Sequence, residues 1–251
     1  MTKIIMNGCN GKMGQVITKL VAESEDCEIV CGIDINDSIE NTYPVYKSIA
    51  DFDGKADAII DFSHPSTLTS VLEYAKSTQT PAIICTTGLS AEQKAEIGEA
   101  AKSVAMFFSA NMSLGVNVLV DLVKKATKVL EDNFDIEIIE KHHNQKIDAP
   151  SGTALTIADA IAETLTNEAE YTYDRHSVRK KRSKNEIGIH SLRGGSIVGE
   201  HSVIFAGQDE VIEIKHQATS KEVFAVGAVK AAKFIAGKPA GMYDMNDLIR
   251  E

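Results

Sequence analysis

Long apolar runs are missing from this sequence, and no stretch of 18 residues is apolar enough to span a membrane. The chain also shows no charged segment followed by an apolar stretch and a cleavage site, so we expect a cytoplasmic protein without a membrane partner. Repeats and low-complexity tracts are absent too. With 251 residues, 43% hydrophobic and 25% charged, the composition is typical of a globular chain of about one to two domains and excludes extensive disorder.

Cysteine is scarce, and its four residues form no C-x-x-C pair. A chain of this length buries enough surface to fold without disulfides. We therefore expect free, buried thiols in a reducing compartment. The cysteines are Cys9, Cys27, Cys31 and Cys85.

An excess of positive charge is also lacking. The net charge of −10 disfavours binding to nucleic acid and to anionic membranes. Basic residues are concentrated once, in residues 175–184, which hold six basic residues and no acidic one. We hypothesise that this basic loop attracts an anionic substrate, and a solvated surface loop is the alternative.

The first hundred residues alternate short apolar runs with amphipathic stretches, which is typical of βαβ units and a parallel sheet. We predict strands at 4–7, 27–33, 57–62, 82–85 and 107–109. Helices are predicted at 13–23, 67–77 and 91–103, with Ser66 and Ser90 as N-caps of the last two. This part of the chain is therefore predicted to have an α/β fold.

Later residues change character. A long helix is predicted at 114–132, and its apolar face consists of Leu119, Leu122, Val123, Ala126 and Leu130. Strands are predicted at 134–140, 188–193, 197–206 and 211–216, and helices at 154–165 and 223–235. The turns at 194–195 and 207–209 suit antiparallel hairpins. This half is predicted to be α+β, and the last helix to pack back on the first domain.

Three glycines, Gly8, Gly11 and Gly14, form G-x-x-G-x-x-G between a predicted strand and a predicted helix. Glycine in such a loop permits a tight turn and lets backbone amides approach a pyrophosphate. Asp34 follows the second predicted strand, where a dinucleotide fold needs an acid for the adenosine ribose. The pattern favours dinucleotide binding over a plain strand-turn-helix with an unrelated surface acid.

The choice between NADH and NADPH stays open. A ribose-binding Asp34 repels a 2′-phosphate, and the next residue, Ile35, is not basic, so NADH is the simpler inference. Lys12 lies within the glycine loop, where its ammonium is either solvated or able to reach a 2′-phosphate.

Two histidines and two lysines lie within six residues where the predicted strand at 134–140 stops: Lys141, His142, His143 and Lys146. Such a concentration of proton donors indicates acid-base chemistry. Residues 150–153 then open a helix, whose free amides suit a carboxylate. Together they suggest a pocket for an anionic substrate, and the alternative is a capped helix after a polar loop.

A metal site is not predicted here. Adjacent residues of an extended segment point to opposite sides, and no third ligand has helical metal-site spacing. For His190, His201 and His216, which lie in predicted strands, a hydrogen-bonded structural role is the prediction.

The motif E-x-H-H-x-x-K-x-D-x-P-S-G-T-A at residues 140–154, with G-x-x-G-x-M-G at residues 8–14, resembles the 4-hydroxy-tetrahydrodipicolinate reductase (dihydrodipicolinate reductase) family. Further matching blocks are T-T-G at 86–88, A-N-x-S-x-G-V-N at 110–117, R-G-G at 193–195, G-E-H at 199–201 and G-M-Y-D-M at 241–245. The long histidine motif is the specific part, and the resemblance spans the chain.

The resemblance implies a Rossmann-like dinucleotide-binding domain of residues 1–112 plus 218–251. It also implies a substrate-binding and oligomerisation domain of residues 113–217, α+β in class, whose open mixed sheet assembles a homotetramer. The implied reaction is the NAD(P)H-dependent reduction of 4-hydroxy-tetrahydrodipicolinate, via dihydrodipicolinate, to tetrahydrodipicolinate in diaminopimelate and lysine biosynthesis. The implied substrate is thus a small dicarboxylate.

The resemblance also assigns residues. His142 matches the catalytic acid and Lys146 a second proton donor, while His143, Gly152 and Thr153 match the substrate-binding residues. The residues matched to cofactor binding are Gly8, Cys9, Asn10, Gly11, Lys12, Met13, Asp34, Thr86, Thr87, Gly88, Ser109, Ala110, Asn111 and Met112.

Two other classes of function remain open. One is a semialdehyde dehydrogenase with Cys85 as its nucleophile, although the apolar strand around Cys85 offers no stabiliser for a thiolate. The other is a dinucleotide sensor without catalysis, which would need neither the paired histidines nor the helix end.

Overall fold

The computed structural model describes residues 1–109 and 111–251, so Ala110 lies outside the described residues. The chain divides into two compact units. The first consists of Met1–Leu114 and Glu222–Glu251, and the second of Gly115–Lys221.

Strands and helices alternate through most of the chain. The strands are β1 (Thr2–Asn7), β2 (Cys27–Ile33), β3 (Val45–Tyr46), β4 (Ala58–Asp61), β5 (Ala82–Ile84), β6 (Ala105–Phe108), β7 (Asp135–His142), β8 (Glu170–Thr172), β9 (Glu186–Arg193), β10 (Gly199–Ala206), β11 (Val211–Ala218) and β12 (Gly241–Tyr243). The helices are α1 (Lys12–Ala22), α2 (Leu68–Thr78), α3 (Ala91–Ala100), α4 (Leu114–Leu130), α5 (Gly152–Ala162), α6 (Glu222–Ile235) and α7 (Met245–Arg250).

The first unit contains a parallel sheet in the order β12-β6-β5-β4-β1-β2-β3. The strand order reverses direction between β1 and β4, which is the point where dinucleotide folds bind their ligand. Its strands are rich in apolar residues because separate cores cover the two faces, one with Ile4 and Ile60 and the other with Ile5 and Ile59. Helix α6 contributes to the first of these cores, so it packs on this unit. The predicted α/β class is confirmed.

One predicted helix start is wrong. Ser66 does not cap α2, because it lies inside a short 3₁₀ turn, Pro65–Thr67, whose cap is His64. Proline suits the first position of such a turn, and α2 begins only at Leu68. Ser90 caps α3 as predicted, since its hydroxyl accepts from the amide of Gln93.

The second unit contains a mixed sheet in the order β11-β10-β7-β9-β8. Strand β9 runs parallel to β7 and β8, whereas β10 runs antiparallel to β7 and β11. Residues of α4 and α5, among them Val123 and Ile157, pack with Ile138 of β7 in one core. Val211 and Ile212 of β11 are exposed. The predicted second domain with an open mixed sheet is thus confirmed in class.

Several local predictions for this unit are corrected. The turn at 194–195 does not form a hairpin, because β7 lies between β9 and β10 and pairs with both. The turn at 207–209 does join the hairpin of β10 and β11. Strand β7 continues to His142, two residues beyond its predicted end. On α4, Leu122 is exposed, whereas Leu119 and Val123 are buried as predicted.

Within the described residues, no helix combines the length and the apolar character that crossing a membrane requires.

Candidate active site

The glycine loop follows β1 at the reversal point of the first sheet. Gly8 has a positive φ of 82°, which favours glycine. A Cβ at Gly8 would overlap the carbonyl of Phe62, and one at Gly14 would overlap the carbonyl of Gly8. Two of the three glycines are therefore required by close packing of the loop.

Helix α1 begins directly after this loop, with Gly11 as its N-cap. The amide of Gly11 donates to the carbonyl of Gly8 at 3.1 Å. The next amides, those of Lys12 and Met13, are in the first turn, where a helix provides no acceptors. The positive end of the helix dipole, together with glycines that have no side chain to block the approach, suits a dinucleotide pyrophosphate. Lys12 is exposed, whereas Cys9 and Asn10 are buried beside it.

Asp34 comes immediately after β2, as expected for a ribose-binding acid. Its carboxylate accepts the amide of Asn10 at 2.9 Å and the amide of Asn36 at 2.9 Å. These bonds fix the carboxylate against the glycine loop. Ile35 is exposed next to it, so no cation from that position accompanies Asp34.

Sequence reasoning missed a buried carboxylate in this unit. Asp61, at the end of β4, is fully buried. It accepts the side-chain amide of Asn7 at 2.7 Å, the hydroxyl of Thr86 at 2.7 Å and the hydroxyl of Ser63. Burial raises the pKa of Asp61, and the three polar side chains only partly oppose that rise. The D-F-S sequence at 61–63 gave no signal of this role.

The segments matched to the nicotinamide half lie at the ends of β5 and β6. Thr86 is buried, and its hydroxyl donates to Asp61. Thr87 and Gly88 are exposed, and Gly88 has a φ of 77°. The hydroxyl of Ser109 accepts the amide of Asn111 at 3.2 Å. Met112 is buried in the first core.

Cys85 is buried, and burial raises the pKa of its thiol well above the ordinary value. A thiol in this state is a poor nucleophile. The structure therefore provides no support for the alternative with a cysteine nucleophile.

In the second unit, His142 is the last residue of β7 and is buried. Its Nδ1 lies 2.6 Å from Oε2 of Glu140. Because a carboxylate only accepts, Nδ1 carries a hydrogen and Nε2 is the nitrogen left to exchange a proton. Gly199 leaves room for the ring, since a Cβ there would come within 3.2 Å of Nε2.

Glu140 is fully buried and accepts from several groups besides His142. Arg193 donates to both oxygens, at 2.8 and 2.7 Å, and the amide of Ser151 donates at 3.0 Å. Burial opposes the charge, but the bonds from Arg193 and His142 outweigh it and lower the pKa of Glu140 to about 2. The motif contained Glu140, yet no role was predicted for it.

His201 is a second residue whose place at the site was not predicted. Its ring packs edge-on against the ring of His142, with centroids 5.2 Å apart. Its Nε2 lies 3.0 Å from the hydroxyl of Ser151. Burial, together with the neighbouring His142, lowers the pKa of His201 to about 4, so the ring is neutral at pH 7. The predicted hydrogen bond is present, but the residue lies beside the predicted acid.

Helix α5 begins at Gly152, and the hydroxyl of its N-cap Ser151 accepts the amide of Ala154. Gly152 is exposed, and the space where its Cβ would stand is open. Its amide and that of Thr153 belong to the first turn. The structure thus brings an accessible helix start and His142 to the same Glu140 carboxylate.

Lys146 and His143 lie in the same segment, both partly exposed. The ammonium of Lys146 forms an ion pair with Asp148 at 2.9 Å. Lys146 and the amide of Gly152 lower the pKa of Asp148. An acidic side chain of the protein itself therefore contacts two groups that were predicted to act on the substrate.

The basic loop at 175–184 is largely paired with its own unit. Arg175 binds Glu137 at 2.5 Å and Glu186 at 2.6 Å, and Arg182 binds Glu137 at 3.1 Å. Arg179 is exposed. Arg175 and Arg182 are thus neutralised by glutamates, and the hypothesis that this loop attracts an anionic substrate depends on the remaining basic residues.

The described residues contain no cluster of three or more His, Cys, Asp or Glu side chains that could hold a metal ion.

Each of the two units matches a known protein family. Residues 2–112 match the family described as "Dihydrodipicolinate reductase, N-terminus", and residues 115–249 match "Dihydrodipicolinate reductase, C-terminus". The 4-hydroxy-tetrahydrodipicolinate reductase of Caldanaerobacter subterraneus subsp. tengcongensis is 52% identical, covering 100% of this chain and 99% of the relative. That of Clostridium novyi is 50% identical, with 100% and 99% covered.

Solved structures share the fold. A dipicolinate-bound dihydrodipicolinate reductase from Paenisporosarcina sp. TG-14 aligns with a TM-score of 0.84 at 23% identity, over 98% of this chain and 99% of that one. A probable dehydrogenase from Thermotoga maritima aligns with a TM-score of 0.62 at 13% identity, over 98% and 92%. At such identities the likeness extends to the fold alone.

The matched segments span nearly the whole chain, and the relatives are half identical over their full length. The resemblance seen in the sequence motifs is confirmed. The chain belongs to the dihydrodipicolinate reductase (4-hydroxy-tetrahydrodipicolinate reductase) family, whose members are oxidoreductases that use a nicotinamide cofactor.

Proposed function

We propose that this protein reduces 4-hydroxy-tetrahydrodipicolinate, via dihydrodipicolinate, to tetrahydrodipicolinate with NADH or NADPH, in diaminopimelate and lysine biosynthesis. The names of its full-length relatives support the reaction. One observation carries the proposal: His142 and the start of α5 are bonded to the same buried carboxylate in the second unit. This arrangement supports a site in which His142 donates a proton to a substrate whose carboxylate binds at the start of α5.

The first unit is proposed to hold the dinucleotide, whose nicotinamide supplies the hydride when bound. The glycine loop and the first turn of α1 suit the pyrophosphate, and Asp34 suits the adenosine ribose. The proposed contact residues are Gly8, Cys9, Asn10, Gly11, Lys12, Met13, Asp34, Thr86, Thr87, Gly88, Ser109, Ala110, Asn111 and Met112. The charge of Asp34 favours NADH, and Lys12 leaves NADPH usable.

His142 is proposed as the acid. Hydride addition to a conjugated cyclic imine moves electrons through the ring, and a proton must quench them. With Nδ1 bonded to Glu140, Nε2 of His142 is the nitrogen that delivers this proton. The ammonium of Lys146 is proposed to stabilise the developing negative charge and to assist the transfer.

The substrate carboxylates are proposed to bind the amides of Gly152 and Thr153 and the side chain of His143. The start of a helix offers positive potential for an anion. Dipicolinate, the ligand bound to the Paenisporosarcina reductase, is a dicarboxylate of related shape. Binding one carboxylate there would hold the ring beside His142.

The protein is proposed to act in the cytoplasm as a homotetramer assembled through the sheet of the second unit. Support comes from apolar side chains left exposed on that sheet, which include Leu192, Val211 and Ile212.

The test is a coupled assay in which the substrate is made from pyruvate and aspartate semialdehyde, and loss of NADH or NADPH absorbance is followed. H142Q and K146A should each lower kcat by about 10²- to 10⁴-fold, with unchanged dinucleotide affinity. H190Q is a matched control, because His190 also bonds a glutamate of β7, at 2.7 Å from Glu137. Wild-type turnover in both H142Q and K146A would reject the assignment.

A further inference from the structure

Glu140 has the most complete set of partners of any site residue just described. Each of its two oxygens accepts two bonds: Oε1 from Ser151 and Arg193, and Oε2 from His142 and Arg193. The side chain is 0% exposed. A buried carboxylate with all of these bonds formed has one orientation available, so it can fix the orientation of its partners.

The partners come from three segments of the second unit. His142 ends β7, Arg193 ends β9, and Ser151 precedes α5. Arg193 also donates to the carbonyl of Asp148 at 2.6 Å, which holds the loop between β7 and α5. The segments that carry the acid and the helix start therefore meet at one charge.

The bond to His142 selects a tautomer. With the Oε2 acceptor 2.6 Å from Nδ1, the neutral ring keeps its hydrogen on Nδ1 and its lone pair on Nε2. An amide nitrogen in place of Oε2 would instead donate to Nδ1 and move the ring hydrogen to Nε2. The carboxylate thus decides which nitrogen exchanges a proton.

We propose that Glu140 is a positioning residue of the reaction: its carboxylate holds His142 in the Nδ1–H tautomer and aligns that ring with the start of α5. Arg193 is the cation that keeps this carboxylate ionised inside the unit. The proposal rests on the proposed function, because it needs His142 to be the acid.

The same strand supplies a matched control. Glu137 also bonds arginines and a histidine, namely Arg175, Arg182 and His190. Its side chain is 22% exposed, and its bonds reach no residue proposed to contact substrate or cofactor. E137Q therefore makes the same chemical change in a similar ionic setting away from the site.

The experiment compares E140Q with E137Q in the reductase assay. E140Q should lower kcat by roughly 10- to 10⁴-fold, as loss of an orienting carboxylate does, and should leave the KM for the dinucleotide unchanged. The solvent deuterium isotope effect on kcat should rise, because proton transfer becomes more limiting. E137Q should change neither kcat nor the solvent isotope effect. E140D should recover part of the kcat that E140Q loses.

A measurement on the wild-type protein covers the case in which E140Q does not fold. Nitrogen-15 NMR of the histidine rings at a pH where they are neutral should show the Nδ1–H tautomer for the signal that disappears in H142Q. The Nε2–H tautomer there, or wild-type kcat and isotope effect in folded E140Q, overturns the proposal. If H142Q itself keeps full turnover, the proposed function fails instead.

Discussion

Each unit has a fully buried carboxylate, Asp61 at the end of β4 and Glu140 near the end of β7, and the two carboxylates have different kinds of partner. Asp61 in the first unit and Glu140 in the second are both 0% exposed. Asp61 accepts from an amide and two hydroxyls, which are neutral. Glu140 accepts from an arginine, a histidine and a backbone amide.

This difference decides the charge state that each site favours. Burial raises the pKa of Asp61, because hydrogen bonds from neutral donors do not fully compensate the carboxylate for its lost hydration. Burial also opposes the charge of Glu140, but Arg193 reverses the outcome and the pKa falls to about 2. A fully buried carboxylate that stays charged therefore needs a cation of its own.

The largest effect is expected from removing that cation. R193M would leave the Glu140 charge buried without its bidentate partner, which should lower the free energy of unfolding by about 3 to 5 kcal/mol. Urea unfolding followed by circular dichroism measures it. R179M is the control: Arg179 is exposed in the same unit, and its loss should stay within about 0.5 kcal/mol. Equal effects of the two substitutions would contradict the role given to Arg193.

The Asp61 site should respond mainly to lost hydrogen bonds. D61A leaves the buried amide of Asn7 and the hydroxyls of Ser63 and Thr86 without their acceptor, at a cost of about 1 to 3 kcal/mol. D61N keeps one acceptor oxygen and removes the charge, so it should cost less than D61A in the same unfolding assay. If D61N is as unstable as D61A, the charge matters more here than the contrast with Glu140 allows.

The two carboxylates should also give opposite pH dependence. Glu140 has a lowered pKa, so its contribution to stability is present above its ordinary value of 4.5 and is lost as pH falls toward about 2. Asp61 has a raised pKa, so its contribution is present below its ordinary value of 3.8 and is lost as pH rises through the raised value. Thermal unfolding should show D61N gaining on the wild type as pH rises, and the deficit of E140Q shrinking as pH falls. If the stabilities of D61N and E140Q relative to the wild type changed with pH in the same direction, the contrast between the two carboxylates would be refuted.

The smallest effect is expected at an exposed carboxylate. Asp148 pairs with Lys146, but its side chain is 57% exposed, so solvent screens the pair. D148N should change the free energy of unfolding by less than about 1 kcal/mol, and added salt should reduce the difference further. A loss as large as that of R193M would show that burial is not what separates these sites.

Prediction from sequence succeeded where one segment carries the whole signal. Strand β2 has the predicted limits, 27–33, because most of its residues are apolar and it lies between β1 and β3 within the sheet. The sheet of the second unit shows the limit. Glycines at 194–195 suit a hairpin, yet β7 pairs with both flanking strands, and no local pattern encodes a partner some 50 residues earlier in the chain.

The candidate site shows the same division. The glycine loop, His142, Lys146 and the start of α5 lie in short motifs, so the sequence reveals them. Arg193 is 53 residues from Glu140, and His201 is 50 residues from Ser151, so only the fold brings them together. Asp61 was missed for the same reason, since its partners Asn7 and Thr86 lie 54 and 25 residues away in the chain.

Gly227 of α6 has a consequence for protein engineering. A Cβ at this position would overlap the carbonyl of Met112, so the chain leaves and re-enters the first unit at neighbouring points. Five residues of helix, about 8 Å, separate Gly227 from Glu222. A linker of a few residues from Leu114 to Glu222 should therefore close the first unit as an independent module, and the excised residues 115–221 become an exchangeable cassette.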